Sequence, residues 1–179
     1  MTQDTATTST SGLDQERADL LEALAHHRNL LRRALRDLDQ EQATRRTTAS
    51  ELCLAGIVKH VAATESEWVD FILEGASSMA APEDAAAWEA YADTFRLVGD
   101  ETLEGVLRRY EEVEARTTEV LRSLPDLDAS HELPEAPWFE PGARWSARRV
   151  LLHVVAETAQ HAGHADIIRE SLDGAKTMG

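Results

Sequence analysis

The chain has a single cysteine, Cys53, so no internal disulfide can brace the fold and the stability must come from packing. Nothing near Met1 pairs a basic start with an apolar run as a secretory signal would, and the cytoplasm is the expected location. No apolar stretch approaches the roughly 20 residues needed to cross a bilayer, which argues against a membrane partner. Basic residues are scarce relative to acidic ones, 18 against 33, giving a net charge of −15. That field repels a phosphate backbone, so nucleic acid is excluded as a partner despite the local pairs Arg32-Arg33 and Arg148-Arg149.

Glycine and proline are sparse, at 9 and 5 of 179 residues, and aromatics make up 5%. The chain is rich instead in Ala, Leu, Glu and Arg, which favours an all-α fold. Its length suits one domain with its own core. Residues 1–11 are Thr/Ser-rich without large apolar groups and are expected to form a loose tail; the folded body is expected over 12–174, with 175–179 as a C-terminal tail.

Helical periodicity appears four times. Leu20, Leu21, Leu24, Leu31, Leu35 and Leu38 mark a first helix, with Arg28 and Arg32 among its polar positions. Thr48-Ala-Ser-Glu51 has the form of a capping box, predicting the start of a second helix that carries Leu54, Ile57, Val61, Trp68 and Phe71 and stops at Gly75. Residues 76–99 show no sustained period and predict a long connection containing a short helix. A third helix runs from about Asp100 to Leu124, before Pro125. The segment 126–144 holds three further prolines and reads as loop. Ser146 is placed to cap a fourth helix that ends near Gly174. Four amphipathic stripes suit an antiparallel four-helix bundle, although connection lengths alone leave its packing order open.

The fourth helix reads His153-Val-Val-Ala-Glu157-Thr-Ala-Gln-His161-Ala-Gly-His164, with spacings that keep all four groups on one stripe. Imidazoles and a carboxylate on adjacent turns can share a divalent cation, and a third protein ligand must then come from another element. His60, set among Ile57, Val58 and Val61, is the best candidate, because an imidazole near the core needs a partner. A hydrogen-bonded core histidine is the competing reading for each. His153 and His164 are candidates for orienting a ligand or meeting substrate. His26, His27 and His131 have no partners in spacing and read as structural or solvated, and Cys53 as a small buried hydrophobe. Trp68, Trp88, Trp138 and Trp145 read as core or interface residues, with a substrate mouth as the alternative.

Two segments, Leu54-Ala-Gly-Ile-Val-Lys-His60-Val-Ala-Ala-Thr-Glu65-Ser-Glu-Trp68 and Glu157-Thr-Ala-Gln-His161-Ala-Gly-His164-Ala-Asp-Ile-Ile-Arg-Glu170, together resemble the DinB/YfiT-like superfamily, with the likeness extending over about Leu13 to Gly174. The resemblance implies an up-down-down-up bundle holding a divalent metal, commonly zinc or nickel, and allows a homodimer. Many relatives use three histidines; Glu157 departs from that and looks like the His/Glu/His set of mycothiol-dependent maleylpyruvate isomerase. Carried over by position, His60, Glu157 and His161 become the metal ligands, while His164 stands where many relatives have glutamine. The implied activity joins a low-molecular-weight thiol such as mycothiol to an electrophile, or isomerises a thiol adduct. A metal-dependent hydrolase and a catalytically silent metal-binding or stress-associated protein remain alternatives. Arg144, Arg148 and Arg149 are candidates for contacting the polar parts of the thiol.

Overall fold

The computed structural model describes residues 14–79 and 84–177; the expected N-terminal tail lies outside them. Six helices and one small hairpin follow in the order α1 (Gln15–Leu35), α2 (Gln40–Thr44), α3 (Leu54–Glu74), α4 (Ala85–Asp93), α5 (Leu103–Ser123), β1 (Ser130–Glu132), β2 (Arg144–Ser146) and α6 (Ala147–Asp173). The four long ones, α1, α3, α5 and α6, make the bundle. None of the described helices is long and apolar enough to cross a membrane.

Polar contacts between helices fix the direction of each. Arg148 near the start of α6 pairs with Glu16 at the start of α1, and Arg169 near the end of α6 donates to the carbonyl of Ala34 at the end of α1, 2.9 Å. Those two helices are therefore parallel. Lys59 meets Glu101 at 2.6 Å and Asp70 meets Arg116 at 2.6 Å, so α3 and α5 also run the same way. Thr47, just before α3, donates to the carbonyl of Ile168 near the end of α6, which sets the two pairs antiparallel. The result is the up-down-down-up order.

Helix ends follow local chemistry, with two departures from expectation. Ser146 Oγ accepts from the Arg149 amide as predicted, and α6 ends at Gly174 in the left-handed region. The first helix stops at Leu35, short of Leu38, because the chain turns at Asp37, whose φ is 64°. The capping box forms there instead, between Asp39 and Gln42 at the start of α2. Thr48 and Ser50 cap nothing: their hydroxyls accept from amides two residues on, those of Ser50 and Leu52, and hold an extended approach to Cys53, so α3 begins at Leu54.

The core has two halves. One gathers Leu31, Leu54, Ile57, Val58, Leu103 and Ile168; the other gathers Leu24, Trp68, Phe71, Leu121, Val150 and Val154. Between them lies a polar layer to which each bundle helix contributes one buried residue: Arg28, Glu65, Thr117 and Thr158. Arg28, which periodicity alone puts on a polar face, is only 1% exposed. Its guanidinium grips Glu65 with both Nε and a terminal nitrogen, and the Thr117 hydroxyl donates to the same carboxylate. Every buried charge in the layer thus has a partner, as its desolvation demands.

Candidate metal centre

Helix α3 carries His60 inward, and α6, antiparallel to it, carries Glu157 and His161 on successive turns of its facing stripe. The three side chains each offer a ligand atom within 4.8 Å of the others. Ligand atoms at roughly 2.0–2.2 Å from one ion need only small side-chain adjustments from this spacing. His161 Nε2 stands 3.4 Å from one oxygen of Glu157, and His153 Nε2 stands 3.9 Å from the other. His164 is outside the convergent set; its ring lies 5.3 Å from that of His161. Nδ1 of His161 and Nδ1 of His164 are buried without a hydrogen-bond partner among the described residues. Unpaired buried nitrogens are costly, and a cation suits a group of imidazoles around one carboxylate.

The orientation of His60 comes from a segment that shows no pattern in sequence. Thr94 commits its own hydroxyl hydrogen to the Tyr91 carbonyl at 2.7 Å, so its oxygen accepts from His60 Nδ1, 3.2 Å away. Nε2 then carries the lone pair, as a metal ligand needs, with the Thr64 hydroxyl 3.5 Å away. The Phe95 ring stacks on the imidazole at 3.9 Å. Gly56 makes this approach available: a Cβ there would sit 1.8 Å from the Phe95 carbonyl oxygen. Cys53 lies behind the same segment, buried, and takes no part in the cluster.

Above the three residues opens a cavity of about 550 Å³. Its walls are aromatic: Trp68 and Trp145 stacked at 4.8 Å, Trp88 and Tyr91 from α4, and Trp138 and Phe139 from the loop between the strands. All four tryptophans line the cavity, the reading that residue type alone made secondary, while Trp68 also belongs to the buried core as first expected. The hairpin was not visible in the sequence because its strands are three residues each, but it is what places Trp145 and swings the Trp138 loop over the site. The arginines before and on α6 do not line this cavity. Arg144 donates to the Ser130 carbonyl, Arg148 is held by Glu16 and Asp128, and Arg149 lies over the Trp145 ring. His131 also works elsewhere, with its Nε2 donating to the Ile72 carbonyl.

Burial and charge set the protonation of the cluster. Burial, reinforced by neighbouring His161 and opposed by Glu157, pushes His60 down to about 4. Glu157 is held below the usual carboxylate range, first by its hydrogen bond with His161. Burial also lowers His153. Neutral imidazoles beside an ionised carboxylate are what a divalent ion requires.

A pH dependence follows for the metal-free protein. As pH falls, the unfolded chain protonates its histidine near the ordinary value of 6.5, while folded His60 stays neutral down to about 4. The stability that neutral His60 supplies is thus full above that upper value and is lost across the interval below it. Urea midpoints at pH 7.5 and pH 5, roughly bracketing the unfolded His pKa, should differ more in the wild type than in His60→Gln. Equal differences would contradict this account.

No curated protein matches the chain. Among solved structures, YfiT from Bacillus subtilis, described as a probable metal-dependent hydrolase with an unusual four-helix bundle topology, aligns with a TM-score of 0.63 and 17% identity, covering 89% of each chain. A likeness at that identity speaks for the fold. The model of the mycothiol-S-transferase family matches residues 19–174, from the first turns of α1 through the end of α6 and so across both halves of the cluster. The chain belongs to the mycothiol-S-transferase family.

Proposed function

We propose that the protein is a divalent-metal-dependent enzyme that transfers a low-molecular-weight thiol, mycothiol, to an electrophilic substrate. The observation that carries this reading is the convergence of His60, Glu157 and His161 at the floor of a cavity, in a chain of this family. These three residues would hold the ion, and zinc suits their nitrogen and carboxylate donors. A divalent cation bound there would favour the thiolate form of a thiol that reaches it.

The rest of the chemistry belongs to the side chains. His60 presents Nε2 as its lone-pair nitrogen because Thr94 occupies Nδ1. Glu157 brings the one negative charge among the three ligands, and His153 Nε2 stands 3.9 Å from its outer oxygen. His153 is also the neutral imidazole beside the cavity that can take the proton a thiol sheds. Thr64 and Gln160 offer neutral polar contacts for the body of the thiol. Phe95, Trp68 and Trp145 put apolar rings around the cluster. In the reaction the sulfur forms its bond to the electrophilic carbon, the leaving group departs with its electron pair, and the thiol proton passes to imidazole or solvent.

Metal-loaded protein incubated with mycothiol and an activated electrophile should consume thiol faster than the uncatalysed reaction. The excess should vanish on chelation and return with added zinc. Thiol loss at the blank rate with every electrophile would overturn the proposal. Ester turnover without thiol would replace it with a hydrolase, and bound metal with neither activity with a silent binder.

A further inference from the structure

The cavity also restricts what the second substrate can be. It is of small-molecule size, about 550 Å³, within the roughly 300–1,000 Å³ of ligand pockets. Six aromatic rings from Trp68, Trp88, Tyr91, Trp138, Phe139 and Trp145 form much of its wall, and three of them, Trp88, Tyr91 and Trp138, are 50%, 48% and 57% exposed at the rim. No Lys or Arg lines it among the described residues, although the chain has 18 of them. Two carboxylates, Glu67 and Glu157, do line it, and the whole chain carries −15. Of the nearby guanidiniums, Arg148 is held by Glu16 and Asp128, and Arg149 is stacked over the Trp145 ring without lining the cavity.

Resting on the thiol-transfer reading above, we propose that the electrophile is a planar, uncharged aromatic molecule, and that anionic electrophiles are rejected. Ring faces stack on the walls, whereas an anion would meet Glu67 and, once Glu157 and the thiolate have balanced a divalent ion, no Lys or Arg on the walls to receive it. The transfer balances for such a substrate: the mycothiol sulfur bonds to a ring carbon, the carbon–halogen bond breaks, halide leaves with the electron pair, and the thiol proton goes to solvent.

The test uses metal-loaded protein and matched pairs that differ only in a ring sulfonate, a weak metal ligand. Calorimetric titration of the metal- and mycothiol-loaded protein with unreactive 1,3-dinitrobenzene and 3,5-dinitrobenzenesulfonate reads binding alone. Turnover with chlorodinitrobenzene and its sulfonate, each divided by its uncatalysed rate, reads transfer. Binding and kcat/KM should favour the neutral ring by about tenfold or more, a factor equivalent to one unit charge poorly placed. Trp88→Ala combined with Trp138→Ala should weaken dinitrobenzene binding without changing the metal content. Equal or tighter binding of the sulfonate overturns the inference. So does turnover of the sulfonate or of aliphatic iodoacetamide as readily as the neutral ring, though that result leaves thiol transfer standing. Neutral-ring preference in the titration with no turnover supports the inference and removes the thiol-transfer reading.

Discussion

Arg28→Met is expected to lower the free energy of unfolding by about 3–5 kcal/mol, the loss typical of breaking a buried ion pair from one side. The substitution leaves Glu65, 1% exposed, with only the Thr117 hydroxyl as partner inside the bundle. Glu65→Ala should cost less, because Arg28 keeps Glu114 at 3.7 Å and that carboxylate can swing closer. Replacing both, as Arg28→Met with Glu65→Leu, should recover most of the loss. No charge then remains unpaired, and apolar side chains join the two halves of the core. Urea unfolding in the presence of chelator isolates these effects from metal linkage. An Arg28→Met protein within about 1 kcal/mol of wild type would show that the layer relaxes or admits water. A double variant as weak as the sum of the singles would show that the pair itself stabilises the fold.

That layer also explains a limit on reading the sequence. The periodicity of Leu24, Leu31 and their counterparts on the other helices correctly predicts four long helices, since burial of a stripe leaves a direct trace. It puts Arg28 among the polar positions because charge usually means solvent, and it gives Glu65 no role of its own. Yet each sits three or four residues from buried apolar neighbours on both sides: Leu24 and Leu31 flank Arg28, and Val61 and Trp68 flank Glu65. Polar residues inside an unbroken apolar stripe are a usable signal for a buried network. The convergence of His60, Glu157 and His161 was legible for a related reason, because helical spacing on α6 and the apolar setting of His60 both constrain direction. Thr94, Phe95 and Gly56 were not. The contact that aims His60 comes from the exit of α4, a helix with no buried residue, and its docking depends on the absence of a side chain at Gly56.

Those two layers of the proposed site predict graded losses of metal. A structural zinc bound with about 10–16 kcal/mol spread over roughly four ligands implies some 3 kcal/mol or more for one of them. His161→Ala should therefore weaken zinc binding by at least about a hundredfold. Gly56→Ala reaches the site from behind. Its Cβ would stand 1.8 Å from the Phe95 carbonyl oxygen and 2.4 Å from the carbonyl carbon, backbone atoms that cannot rotate away. The segment must lift, and with it go the Thr94 bond that selects the His60 tautomer and the Phe95 ring that stacks on it. Loss of an orienting partner typically costs roughly 10–100-fold in affinity, so this variant should fall between wild type and His161→Ala. Competition against a chromophoric chelator gives the affinities, and NMR of the His60 ring nitrogens reports the tautomer. If Gly56→Ala loses metal while His60 keeps its proton on Nδ1, the clamp is not the cause. Wild-type affinity in His161→Ala would remove the site itself, because His153, the other imidazole beside Glu157 on α6, does not converge with His60.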